Sequence, residues 1–135
     1  MKIKWDNLPE DALIFPYRVY FSAAVRGKNG DKATEEEKSK NIERGKVLAY
    51  SLQAKFPNWI IYVPHEHEIF IELGWKMGLL TSKNIMKIFC EMVSERDILV
   101  AVEEDVAISG GVRLEIKAAK KAKKLVLGYS NVMGL

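Results

Sequence analysis

Hydrophobic positions follow two spacings that alternate along the chain. Short apolar runs rich in β-branched and aromatic residues predict β-strands, and apolar residues three or four positions apart predict amphipathic helices. Strands are predicted at 18–25, 59–63, 97–102 and 125–129. Helices are predicted at 35–55, 69–80, 83–96 and 110–124. This alternation predicts an α/β domain whose parallel sheet is covered on both faces.

Residues typical of helix ends support several of the predicted helix boundaries. Thr34 and Glu37 have the spacing of a capping box, and the acidic turn between them suits the positive end of a helix dipole. Gly78 is a candidate terminator for the second helix. Residues 1–17 are predicted to form an N-terminal extension, and residues 18–135 to form one domain.

The order of the strands follows from the handedness of their connections. Right-handed crossovers predict a small doubly wound sheet, Rossmann- or flavodoxin-like, with the order 2-1-3-4 and room for a fifth strand. Ligands of such sheets bind outside the carboxyl ends of the strands, where the order reverses. We therefore expect a ligand crevice between the first and third strands.

The start of the last predicted helix is the first candidate for that crevice. Ser109, Gly110 and Gly111 precede or open the helix, and glycines let backbone N–H groups approach an anion that the helix dipole attracts. Glu115 follows about one turn later, close to whatever the helix end binds. This pattern predicts an anion site beside a carboxylate.

The loop after the first strand is the second candidate. Arg26 can bind a phosphate through two hydrogen bonds, and Gly27 allows the backbone to come close to it. The alternative interpretation of this loop is a flexible polar connection. The predicted topology favours the phosphate loop, because it brings Arg26 and Gly27 to the same crevice as Ser109–Glu115.

Composition narrows the classes of function. The net charge of +3 over 135 residues is small, and the lysines after Glu115 are spaced as a solvated helix face, so no nucleic-acid partner is expected. A single cysteine, Cys90, excludes an internal disulfide. The chain has neither a signal peptide nor an apolar run near the length of a membrane span, so we expect a cytoplasmic protein without a membrane partner.

Residues 65–68 alternate histidine and glutamate, and both histidines could reach one metal ion from an extended chain. No third histidine or clustered cysteine completes such a site, so we predict neither a metal nor a cofactor. The other interpretation is a polar loop at the strand ends, in which His67 contacts the sugar or base of a ligand.

Two segments carry a combined motif. The first runs from Tyr20-Phe21 through small residues to Arg26-Gly27. The second opens a strand with Asp97 and continues as Ser109-x-Gly111-Val112-x-x-Glu115. In this order and separation they resemble the 2'-deoxynucleoside 5'-phosphate N-hydrolases of the nucleoside 2-deoxyribosyltransferase superfamily, and the resemblance spans about residues 18–129.

This resemblance implies hydrolysis of the N-glycosidic bond of a (deoxy)nucleoside 5'-monophosphate. Glu115 would be the nucleophile or the carboxylate that stabilises the sugar cation. Tyr20 would help to orient Glu115 and the sugar, and Asp97, at the base of the crevice, would shape the site. The 5'-phosphate would be held by Arg26, Gly27, Ser109 and Gly111. The further predicted substrate contacts are Ser22, Gly110 and His67. The resemblance also implies a homodimer.

One position departs from that family. Its members carry an aspartate on the helix before the strand of Asp97, and Phe89 stands at that position here. Glu91 or the loop of Glu66 and Glu68 replaces the missing carboxylate, or the hydrolase activity is weakened or absent. Deoxyribosyl transfer between bases and nucleotide binding without turnover are the alternative functions.

Overall fold

A computed structural model of the chain describes residues 2–134, apart from the side chain of Asp31. Four parallel strands form one sheet in the predicted order, β2-β1-β3-β4. The strands are β1 (Arg18–Ser22), β2 (Ile60–Tyr62), β3 (Ile98–Ala101) and β4 (Leu125–Gly128). The helices are α1 (Glu35–Lys55), α2 (Glu68–Lys76), α3 (Ser82–Ser94), α4 (Glu103–Val106), α5 (Gly110–Lys121) and α6 (Tyr129–Met133). The prediction of a doubly wound α/β fold is confirmed.

The first helix has its predicted bounds, since its capping box forms. The Glu37 backbone N–H donates to Thr34 Oγ1 over 3.1 Å, and the Thr34 N–H donates to the Glu37 carboxylate over 3.3 Å. The second helix is shorter than predicted. It ends at Lys76 and is followed by Gly78 in the left-handed region, with φ of 72°.

The first strand is also shorter than its apolar run. It ends at Ser22. Two residues later, the Ala24 backbone N–H donates to the Asp105 carboxylate over 2.8 Å instead of to a neighbouring strand. The short helices α4 and α6 were not predicted. In α6, Tyr129 and Val132 are buried in the core, which accounts for a helix that lacks a periodic sequence signal.

Alternation along β1 divides the core into two halves. Val19 and Phe21 pack on one face of the sheet, against α1 and α6. Tyr20 packs on the other face, against α3 and α5. Because side chains alternate along a strand, Ser22 shares the α5 face with Tyr20.

Residues 2–17 pack onto the domain. The Asp6 backbone N–H donates to the Val126 carbonyl over 2.8 Å, and the Val126 N–H donates to the Asp6 carboxylate over 2.9 Å. The Trp59 indole N–H donates to the Ala12 carbonyl over 2.8 Å. In the described part of the chain, no helix has the length and apolar character needed to cross a membrane.

Candidate functional site

A cleft with a volume of about 380 Å³ opens at the carboxyl ends of β1 and β3. The two predicted segments both line it: Arg26 and Gly27 from the loop after β1, and Ser109, Gly110 and Gly111 at the start of α5. Neighbouring strands β1 and β3 have connections that leave on opposite faces of the sheet, which opens a crevice between the two loops. The structure thus brings together six of the predicted site residues, counting Glu115.

Glu115 lies in the cleft wall with only 7% of its surface exposed. The Tyr20 hydroxyl donates to Oε2 of Glu115, and the Ser22 hydroxyl donates to Oε1 over 2.8 Å. Tyr20 and Ser22 are fully buried and do not line the cleft. Both residues therefore hold the carboxylate from behind, and Ser22 is placed for this contact instead of the predicted contact with substrate.

Burial raises the pKa of Glu115 to about 7, and the hydrogen bonds from Tyr20 and Ser22 only partly oppose the rise. The pKa of Tyr20 is raised well above its usual range by burial and by the charge of Glu115. Tyr20 consequently keeps its proton and remains a donor to the carboxylate. A carboxyl group that titrates near neutral pH in a cleft is typical of an active site.

The loop after β1 is held from two sides. On one side, the Ala24 N–H donates to the buried Asp105 carboxylate, which also accepts a hydrogen bond from Arg44 over 3.1 Å. On the other side, the Asn41 amide donates to the Val25 carbonyl over 2.8 Å. Gly27 adopts φ of 67°, and a Cβ there would lie 3.3 Å from Asn41 Nδ2. The loop is therefore fixed in shape before any ligand binds.

Two side chains of the predicted anion site have partners in the protein. Ser109 is the N-cap of α5, and its hydroxyl accepts the Val112 N–H over 3.2 Å. The Arg26 guanidinium lies over the Trp75 ring at 4.4 Å, and its Nη2 is 3.7 Å from a Glu72 carboxylate oxygen. These contacts orient Arg26 at the cleft wall.

The rest of the cleft wall contains an apolar group and a second carboxyl group. The largest apolar side chains are those of Ile71, Ile85, Met86, Phe89 and Ile108. Glu68, at the start of α2, is the other described acidic residue in the wall. Lys28 adds a cation beside Arg26. One cleft thus combines an apolar surface, the residues of the predicted anion site and two carboxyl groups.

Asp97 is not in this cleft. It precedes β3, at the amino end of the sheet, where its carboxylate accepts hydrogen bonds from the Arg18 N–H over 2.8 Å and from the Arg18 guanidinium over 3.4 Å. Burial acts to raise the pKa of Asp97, but these hydrogen bonds outweigh it and the pKa is lowered. Asp97 connects the starts of β1 and β3, which corrects its predicted position at the base of the site.

His67 is not in the cleft wall either. Its ring stacks on Tyr62 with centroids 5.5 Å apart, and Nδ1 shares a hydrogen bond of 2.8 Å with the Tyr62 hydroxyl. The neighbouring His65 is buried against Gly45 of α1, where a Cβ would lie 2.6 Å from the imidazole Cε1. Within residues 2–134, no three His, Cys, Asp or Glu side chains come together in a way that could hold a metal ion.

Several residues that build the site were not singled out from the sequence. The pair of Arg44 and Asp105 joins positions 61 residues apart, and no spacing in the chain indicates that contact. Ser22 was predicted, but as a substrate contact. Its contact with Glu115 had a usable signal, because Ser22 is two positions after Tyr20 and so points to the same face of the sheet.

No protein-family model, no curated protein and no solved structure matches this chain. The candidate function therefore depends on the residues of the cleft and on the resemblance described above.

Proposed function

We propose that the protein hydrolyses the N-glycosidic bond of a nucleoside or deoxynucleoside 5'-monophosphate and that it belongs with the 2'-deoxynucleoside 5'-phosphate N-hydrolases. The observation that carries the proposal is Glu115, a buried carboxylate that two hydroxyl groups aim into a cleft with an anion site. Cleavage of an N-glycosidic bond passes through a cationic sugar, and a carboxylate at the anomeric carbon stabilises that charge.

The geometry supports a role for Glu115 at the anomeric carbon rather than in phosphate binding. A carboxylate repels a phosphate, whereas the backbone of Gly110 and Gly111 and the guanidinium of Arg26 attract one. A 5'-phosphate held by these groups would supply binding energy far from the reacting bond, which positions the sugar for attack. The apolar side chains provide a surface on which a base can lie.

The direct test is a chromatographic screen for released base. Purified protein is incubated with ribo- and deoxyribonucleoside 5'-monophosphates and with the matching nucleosides. We expect base release from one or more monophosphates, and faster release than from the corresponding nucleosides. A new nucleotide formed only when a second base is added would instead identify a deoxyribosyltransferase.

Arg26→Ala is expected to raise KM for the monophosphate about 10- to 100-fold, because a charge-assisted hydrogen bond to a charged group contributes about 1.5–3 kcal/mol. Its effect on the free nucleoside should be small. Arg18→Ala is the matched control, since Arg18 is at the opposite end of β1 beside Asp97. Steady-state kinetics with both substrates measure the effect, and an unchanged preference for the phosphate would contradict this role of Arg26.

One observation favours a second function, the binding of a nucleotide without turnover. Phe89 lines the cleft at the position where the resembling family carries an aspartate. In that case, no base would be released in the screen, while one of the same nucleotides would raise the melting temperature in a parallel thermal-shift assay.

We also propose that the chain forms a homodimer through α2. The outward face of this helix and its C-terminal cap expose Ile69, Phe70, Leu73 and Met77, each more than half accessible to solvent. Large apolar side chains exposed together on one helix are typical of a protein–protein interaction site. A two-fold axis would place Glu66, before α2, near Lys76 at its end in the second copy.

The double variant Phe70→Asp with Leu73→Asp is expected to be monomeric, because each copy would bury two unpaired charges at the interface. Light scattering after size exclusion measures the mass of wild type and variant at matched concentration. Tyr50→Asp is a control at an exposed aromatic residue of α1. Wild-type protein of monomeric mass at high micromolar concentration would contradict the proposal.

A further inference from the structure

We propose that Glu68 is the general acid that protonates the departing base in the reaction assigned to this cleft. The inference rests on the proposed function and adds a second catalytic group to it. Of the described side chains in the cleft wall, Glu68 and Glu115 are the acidic ones. Glu91 is exposed on α3 and does not line the cleft, and Glu66 faces a separate cavity between α1 and α2.

The position of Glu68 suits contact with a base. It begins α2, and Ile71, one turn later on the same helix, belongs to the apolar part of the cleft wall. Phe89 and Met86 of α3 line the same cleft. A base that lies on this apolar surface therefore has the Glu68 carboxyl group beside it. Glu68 thus supplies the acid that Phe89 lacks.

The charges around Glu68 favour its protonated form. On the same helix, Glu72 attracts two cations: Lys38 Nζ is 3.1 Å from its carboxylate, and Arg26 Nη2 is 3.7 Å from it. Burial acts to raise the pKa of Glu72, but the contacts of its carboxylate with Lys38, Glu68 and Arg26 together outweigh it and the pKa is lowered. Burial and the neighbouring Glu72 raise the pKa of Glu68, and Arg26 and Lys38 oppose them only in part. Of the two carboxyl groups, Glu68 therefore holds a proton more firmly than Glu72 does.

The step conserves atoms and charge. The bond from C1' to the base nitrogen breaks, its electron pair stays on the base, and the Glu68 carboxyl gives its proton to a ring nitrogen or exocyclic oxygen of that base. Glu115 stabilises the sugar cation or forms a bond to C1'. Water then adds to C1' and gives a proton to the Glu68 carboxylate. Where Glu115 has bonded to C1', that bond breaks as water adds, and its electron pair returns to the Glu115 carboxylate. Nucleotide and water become free base and sugar phosphate, and both glutamates return to their starting forms.

The test compares two leaving groups on wild type, Glu68→Gln and the control Glu66→Gln. One substrate is the best nucleotide from the screen, and the other is the 4-nitrophenyl glycoside of the same sugar 5-phosphate, whose nitrophenolate departs without a proton. Glu68→Gln is expected to lower kcat/KM for the nucleotide about 10²- to 10⁴-fold and to leave the nitrophenyl substrate little changed. The decrease in rate at alkaline pH that wild type shows with the nucleotide should also be absent in Glu68→Gln.

A second variant changes the pKa of Glu68 while keeping its carboxyl group. Glu72→Gln removes a negative charge next to Glu68, so the alkaline limb should move to lower pH while a measurable rate remains. Equal losses on both leaving groups in Glu68→Gln, or the same result in Glu66→Gln, would overturn the acid role alone. If wild-type protein cleaves neither substrate, the proposed function fails, and the role of Glu68 fails with it.

Discussion

Glu115→Gln is expected to abolish base release, lowering kcat by at least about 10³-fold. The amide has the size of the carboxylate and can still accept a hydrogen bond from Tyr20 or Ser22, but it has no negative charge for the sugar cation. Nucleotide binding should persist, because Arg26 and the start of α5 are untouched.

The measurement pairs a base-release assay with nucleotide binding by calorimetry. Glu91→Gln is the matched control, since it makes the same change at an exposed position of α3 outside the cleft. A Glu115→Gln protein that retains more than a tenth of wild-type kcat would remove Glu115 from the chemistry. Loss of both turnover and binding would indicate instead that the carboxylate maintains the shape of the cleft.

The same variant is expected to be more stable than wild type above neutral pH. The pKa of Glu115 rises from 4.5 to about 7 on folding, so ionisation in the folded protein costs about 3 kcal/mol of unfolding free energy. Below pH 4.5 Glu115 is protonated in both the folded and the unfolded state, so its ionisation does not affect the unfolding free energy. Between pH 4.5 and 7 only the unfolded chain loses the proton, so wild-type stability falls relative to the variant. Above pH 7 the deficit is constant.

Urea unfolding of both proteins at pH 5, 6, 7 and 8 measures this prediction. The difference in unfolding free energy between Glu115→Gln and wild type should grow with pH and reach a plateau above 7. Other titrating groups cancel in the difference because they are common to both proteins. A difference in unfolding free energy that does not change with pH would contradict the raised pKa of Glu115. It would also contradict the inference that the charge of Glu115 destabilises the fold.

Much of the fold could be predicted from the spacing of apolar residues. The strand order followed from four apolar runs, the four helices between them and the handedness of their connections. The helices α4 and α6 could not be predicted, since four or five residues do not establish a helical period. Tertiary contacts stabilise them: Val106 of α4 packs with α3 and α5, and Val132 of α6 packs with α1.

The candidate site could be predicted in part. Glycines and an arginine after strand ends indicated the two loops of the cleft, because such residues act through the local backbone. Asp97 was expected at the cleft although a residue that precedes a parallel strand lies at the opposite end of the sheet. The role proposed for Glu68 depends on Glu72, Lys38 and Arg26, which three separate segments bring together.

Helix α2 has two faces with different tasks. Glu68 and Ile71 face the ligand cleft, while Phe70 and Leu73 face outward across one or two turns of the same helix. A helix this short moves as one body, so a ligand that shifts it must also shift the surface on its far side. Thermodynamic reciprocity then applies. If ligand binding changes the affinity of the outer face for its partner by some factor, binding of that partner changes the affinity for the ligand by the same factor. If the proposed homodimer forms through α2 and substrate binding changes its affinity, substrate affinity should change with protein concentration.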